Sequence, residues 1–189
     1  MGLLSLIFGR TKLRKPNRDQ FFSVITAAES LRGRTDLIPT GKAGVVFSPV
    51  ESTFFEALST ELTDLLKLSG RATETLCEIK DDSYGTRWVV LEDQEFEDLV
   101  ATIHMCAETI ADHGFGDRLL AAAFQFQYEG KQAYWIYSYK QGKFYPFVLS
   151  GPQQRDNAAE LRLSTLMEQE NIPVQKQLEQ WYALWGIPL

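Results

Sequence analysis

His104, Cys106, Glu108 and His113 lie close together in the chain and are the residue types that hold metals or activate nucleophiles. Their spacing argues against both uses. On a helix, positions 104 and 106 point about 200° apart, so an imidazole and a thiolate there do not converge on one ion. His104 and Glu108 share a face at i, i+4, yet no third ligand is evident, and a zinc site needs three or four. The acidic run EDQEFED (92–98) offers carboxylates for general acid/base work, but such a run ordinarily forms a solvated helix start that favours the helix dipole. GFGDRL (114–119) begins like a dinucleotide fingerprint; it lacks the third glycine and runs from helix to strand, the reverse of the order phosphate binding requires. TGKAG (40–44) lacks the spacing and hydroxyl of a phosphate loop. Both read as turns. No GxSxG occurs, and two histidines leave few choices of base.

The elements that would position these residues follow from periodicity. A helix is predicted over 19–31, with Phe21, Phe22, Ile25 and Ala28 on one face, then a short strand over 43–47. Ser48, Pro49 and Glu51 in SPVE form a capping box with proline at the first helical position, predicting a helix that ends near Gly70. Strands over 75–80 and 86–91 flank DDSYG as a β-hairpin. Asp93 caps a helix with the buried stripe Phe96, Leu99, Val100, Ile103, Ala107 and Ile110, stopping at His113–Gly114. AAAFQFQY, AYWIYSYK and KFYPFVL then alternate with a period of two as an antiparallel meander, with Pro146 marking an edge strand. Asn157 and Glu160 cap a further helix, and Pro173 opens a last one bearing Leu178, Trp181, Tyr182 and Trp185. The fold class is α+β: an antiparallel sheet of about five or six strands with helices packed against it.

Composition places the molecule. The 189 residues are 44% hydrophobic and 12% aromatic, enough for a sizeable core. Net charge is −6, unevenly spread. Residues 1–18 carry Arg10, Lys12, Arg14, Lys15 and Arg18 and no acid; the remainder holds 14 basic against 25 acidic residues. That acidic body argues against a nucleic-acid partner. Cys77 and Cys106 each sit in an apolar-periodic segment, as reduced thiols in a cytoplasmic setting do.

The opening MGLLSLIFGRTKLRKPNR has the wrong polarity for a signal peptide, is too short to span a membrane, and lacks the hydroxyl at position 6 that myristoylation expects. As a helix it places Leu3, Leu4, Ile7 and Phe8 on one face, followed by Arg10, Lys12, Arg14 and Lys15. Two readings stand: a peripheral foot on an anionic membrane or a partner, or a segment docked on its own domain. The organisation is thus 1–18 as an apolar-basic segment and 19–189 as one α+β domain. The aromatic cluster is ordinary sheet core on one reading and a protein-binding face on the other, with Tyr145, Phe147, Trp181 and Trp185 as its contact residues.

MGLLSLIFGR, TGKAGVVFSPVE, YGTRWVVLED with FEDLV, GFGDRLLAAAFQF, YWIYSYKQGKFYPF, the RDN before the late helix and WYALWGIPL together resemble the PspA-associated protein PspAB family nearly end to end. Members are encoded beside PspA, an ESCRT-III-like membrane-stress protein of the phage-shock response, often with PspAA and a membrane metalloprotease of the HtpX type. The resemblance implies an accessory or regulator of envelope stress with PspA or one of those neighbours as partner, and it carries over neither catalytic residues nor a cofactor. The expectation is a non-enzymatic adaptor, cytoplasmic and peripheral at the inner membrane. The alternatives are a chaperone-like module shielding an amphipathic client segment and a hydrolase with scattered catalytic residues.

Overall fold

A computed structural model of the chain describes residues 18–33, 36–51 and 53–189. The elements run α1 (Arg18–Leu31), β1 (Ile38–Phe47), α2 (Thr53–Thr73), β2 (Leu76–Asp81), β3 (Arg87–Glu92), α3 (Phe96–Ile110), β4 (Leu119–Tyr128), β5 (Lys131–Ser138), β6 (Lys143–Gly151), β7 (Gln154–Arg155) and α4 (Asn157–Gln169). One antiparallel sheet has the order β2-β3-β1-β4-β5-β6-β7, so the fold is α+β as expected. The seventh strand is the two-residue β7. Among the described residues no helix is long and apolar enough to cross a membrane.

Alternation sorts the sheet into two faces. Phe124 and Phe126 of β4, Trp135 and Tyr137 of β5 and Phe144 of β6 share one face, where α1 and α3 cover them. Phe21 of α1 lies 6.0 Å from Phe124, 5.0 Å from Tyr137 and 6.2 Å from Phe144, ring to ring, and Phe96 of α3 lies 5.6 Å from both Phe124 and Phe126. All six residues of the predicted α3 stripe are buried. In α1 the most buried residues are Phe21, Val24, Ala27, Ala28 and Leu31, while Phe22 and Ile25 lie at the margin, rotating the predicted face slightly.

The opposite face carries Gly44, Gln125, Tyr134, Ile136, Tyr145 and Phe147. The chain's own last residues cover it. Residues 173–189 form no α-helix; they hold one turn of 3-10 helix at Leu178–Gln180 and a parallel bridge from Val174 to Phe144. This corrects the expected last helix. The apolar spacing is helical, but Gly186 and Pro188 bound the segment on one side, and side chains of the sheet take its backbone carbonyls.

Three other expectations change for similar reasons. The Ser48 N–H donates to the Arg118 carbonyl at 3.0 Å, extending the β1–β4 pairing, so SPVE is a connector and α2 begins at Thr53. TGKAG is not a turn but a bulged stretch of β1, the ladder to β4 shifting between Pro39 and Ala43. Gly41 there has φ +77°, and a Cβ would stand 2.7 Å from the Asp93 carbonyl. Finally, α4 is capped by Asp156, whose Oδ1 accepts the Ala159 N–H at 2.9 Å, and not by Asn157 with Glu160. Glu160 is committed elsewhere: its buried carboxylate accepts the Val148 N–H of β6 at 3.0 Å and both Nε and Nη2 of Arg155 at 2.9 Å.

Candidate functional site

Among the described residues, His104, Cys106, Glu108 and His113 do not converge on one point. The His104 ring packs between Phe21 and Phe22, at 5.6 and 5.0 Å, and its Nε2 stands 3.3 Å from Glu108 without hydrogen-bond alignment. His113 instead meets the Thr109 carbonyl through Nδ1 and Glu61 through Nε2. Cys106 is fully buried, which pushes its thiol far above the usual value, and half-buried Cys77 is raised by burial and then by nearby Asp93. In the acidic run, Glu95 and not the expected Asp93 holds the N-cap position of α3, without a side-chain cap bond, because Asp93 lies two residues too early and accepts hydrogen bonds from Thr75 and from the Glu95 N–H instead. Among the described residues no three His, Cys, Asp or Glu side chains are placed to hold a metal.

The tail-covered face carries the cleft, which has a volume of about 550 Å³. Three segments distant in sequence build it. Its floor is Gln132 and Tyr134 of β5 with Leu149 of β6; one wall is the tail, Leu184 to Ile187; the rim is Ser83 and Tyr84 of the β2–β3 loop opposite the Gly151–Gln153 turn.

Each wall has a local cause. Asp82 shapes the hairpin loop: Oδ1 accepts the N–H groups of Tyr84 and Thr86 at 2.9 Å, and Oδ2 accepts the Thr86 hydroxyl and, at 3.1 Å, the Trp88 indole. Partial burial opposes ionisation here, but these donors hold the Asp82 carboxyl below its ordinary value. The loop thereby projects Tyr84 into solvent at 60% exposure, an aromatic available for contact.

The tail is fixed by hydrogen bonds to its carbonyls. Arg155 Nη1 donates to the Trp181 carbonyl at 2.6 Å, the Tyr145 hydroxyl to Tyr182 at 3.0 Å, and Gln141 to Gln180 at 3.1 Å. The Trp181 indole donates in turn to the Gln175 carbonyl. Further along, buried Gln125 donates to the Leu189 carbonyl at 3.2 Å while accepting from Thr40 at 2.7 Å. Leu189 itself rests on Gly44, where a Cβ would stand 3.1 Å from it. Trp185 meets Phe147 edge-on at 5.4 Å, and Phe147 stacks on Tyr134 at 6.1 Å. Burial raises the Tyr134 hydroxyl, although Gln125 and Gln132 donate to it and partly offset the effect.

The expected contact residues divide accordingly. Tyr145 and Phe147 are buried under the chain's own tail, and Trp181 with them, so they form no exposed face; the aromatic strands had left no partner for that surface, and the tail supplies it. Trp185 alone remains at the cleft wall. Leu3, Leu4, Ile7, Phe8, Arg10, Lys12, Arg14 and Lys15 lie outside the described residues. Sequence reasoning missed Tyr84, Gln132, Tyr134 and the Arg155–Glu160 pair. A tyrosine at the tip of a tight hairpin was the one signal present.

The cleft lining has aromatic, aliphatic, glycine, proline, amide and hydroxyl groups, and no Asp, Glu, His, Cys, Lys or Arg. Aromatic walls with a few amides suit an uncharged, extended polypeptide segment, whose apolar side chains take the rings and whose backbone takes the amides.

The family model described as PspA associated protein B matches residues 1–189, the whole chain. No curated protein and no solved structure matches it.

Proposed function

We propose, on the premise that this chain belongs to the PspA-associated protein B family, that it is a non-enzymatic accessory protein of the PspA membrane-stress response that works by holding a polypeptide segment of a partner. The observation that carries the reading is the uncharged, aromatic-walled cleft between Tyr84, Tyr134 and Trp185. The adaptor and the peptide-binding module are then one activity: recognition of a partner through a segment seated in that cleft. PspA is the first partner to test, with PspAA and the HtpX-type protease as the others. The apolar-basic residues 1–18 would bring the complex to the cytoplasmic face of the inner membrane, each basic residue near an anionic leaflet contributing about 1 kcal/mol.

Titration of labelled PspA with the full chain and with Tyr84→Ala and Trp185→Ala tests the first half. Both residues border solvent, and each substitution should weaken binding about tenfold, the effect of losing an aromatic anchor. Unchanged affinity in both variants would remove the cleft from the mechanism. For the membrane half, flotation with anionic vesicles should decline on deletion of residues 1–15 and at high salt. Binding indifferent to both would remove the foot.

A further inference from the structure

The two edges of the sheet are finished differently. At the β6 edge, β7 and the Val174 bridge pair part of the strand, Glu160 accepts the Val148 N–H, and Pro146 has no N–H to offer. At the other end β2 pairs with β3 alone among the described strands. The Asp82 N–H donates to the Thr86 carbonyl at 2.9 Å, which fixes the parity of the hairpin. Leu76, Glu78 and Lys80 therefore direct their backbone groups to β3, and Cys77, Ile79 and Asp81 direct theirs outward. Leu76 is 68% exposed and Ile79 36%.

We propose that this edge pairs with the β2 edge of a second copy of the chain, antiparallel, about a two-fold axis at Ile79. The arrangement of charge along the strand selects this partner and this register. Glu78 and Lys80 stand two apart on one face, joined at 2.9 Å. With the axis at Ile79, Glu78 of each copy lies opposite Lys80 of the other, in the pairs where side chains approach most closely. The outward groups of Cys77, Ile79 and Asp81 then meet those of Asp81, Ile79 and Cys77, giving about six interchain backbone hydrogen bonds.

Neighbouring registers are penalised. Moving the axis to Glu78 sets that carboxylate against its own copy, and moving it to Lys80 does the same with two ammonium groups. An axis at Asp81 opposes two aspartates, and one at Cys77 leaves Glu78 against Leu76. An edge guarded only by repulsive charge would oppose every register. This one repels in the registers centred on Glu78, Lys80 and Asp81, and only the one centred on Ile79 both pairs its charges and uses its full length. The product is a closed two-fold dimer with one continuous sheet, and none of the strand residues it pairs lines the cleft.

Sedimentation equilibrium of the full chain at about 1–200 µM, a range in which short-edge pairing is measurable, tests it. The expected result is reversible dimerisation, weakened about tenfold or more in Glu78→Lys and in Lys80→Glu, which oppose like charges twice. An equimolar mixture of the two variants should dimerise again as a heterodimer, and so should the double variant Glu78→Lys/Lys80→Glu with itself. These side chains border solvent, and matched melting curves would separate lost pairing from lost folding. A wild-type chain monomeric throughout, a dimer indifferent to the single changes, or a mixture without rescue would each overturn the proposal.

Discussion

The helix-covered face of the sheet is closed by apolar area, while the tail-covered face is closed by hydrogen bonds to an irregular chain. On the first, Phe21, Leu99 and Ile103 are essentially solvent-free, yet Trp135 Nε1 and the hydroxyls of Tyr137 and Tyr139 have no hydrogen-bond partner among the described residues. On the second, Tyr134, Tyr145, Gln125 and Trp181 all have partners. Close packing can override a few lost polar bonds because each ring buries so much surface. A segment without regular structure has no internal ladder, so its carbonyls must be met one by one. The difference teaches where change is tolerated: the helix face resists loss of volume, and the tail face resists loss of donors.

The largest effect should come from Phe21→Ala, which removes a ring touching His104, Phe124, Tyr137 and Phe144; urea denaturation is expected to record a loss of about 3–5 kcal/mol. A result below about 1 kcal/mol would mean that area does not hold this face. A matched pair of tyrosines sharpens the contrast. Tyr145→Phe deletes the donor to the Tyr182 carbonyl and should cost about 1 kcal/mol, with faster amide exchange confined to the tail. Tyr137→Phe deletes a hydroxyl that has no partner and whose pKa burial pushes up to about 12, so it should be neutral or slightly stabilising. Equal losses in the two variants would erase the distinction.

The smallest effect is one of pH. Burial lowers the His104 pKa below its ordinary 6.5, Glu108 works against this, and Arg18 reinforces it. Below about pH 6.5 the unfolded chain takes up a proton that the folded chain refuses, so this contribution to stability is present at neutral pH and is lost as pH falls. His104→Gln should lose less stability than the wild type between about pH 7 and 5. Parallel curves for the two chains would show that His104 contributes no such dependence.

The α+β class, the α3 stripe, the β2–β3 hairpin and the β4–β5–β6 meander were legible because each rests on local periodicity and local turns. The tail was not. Leu178, Trp181, Tyr182 and Trp185 have helical spacing, and what prevents a helix is partly remote, in Arg155 and Tyr145. Ser48 failed as a cap for a similar reason, because its pairing with the Arg118 carbonyl keeps its backbone on the end of β1. Glu160 resembled half of a capping box and serves a strand and an arginine instead. The cleft was invisible because no local pattern connects Tyr84, Tyr134 and Trp185. Those three become neighbours only when the hairpin, the meander and the tail meet.

The position of β1 also bears on how the molecule comes together. It lies between β3 and β4, and the Thr40 hydroxyl meets the Gln125 amide 85 positions away. The hairpin on one side and the meander on the other can each arise from nearby sequence, but neither becomes part of a common sheet until β1 joins them. That step closes long loops before its contacts return any free energy, so it carries most of the entropic cost of forming the sheet. Of the described strands β1 comes first in the chain, so during synthesis it precedes both of its partners.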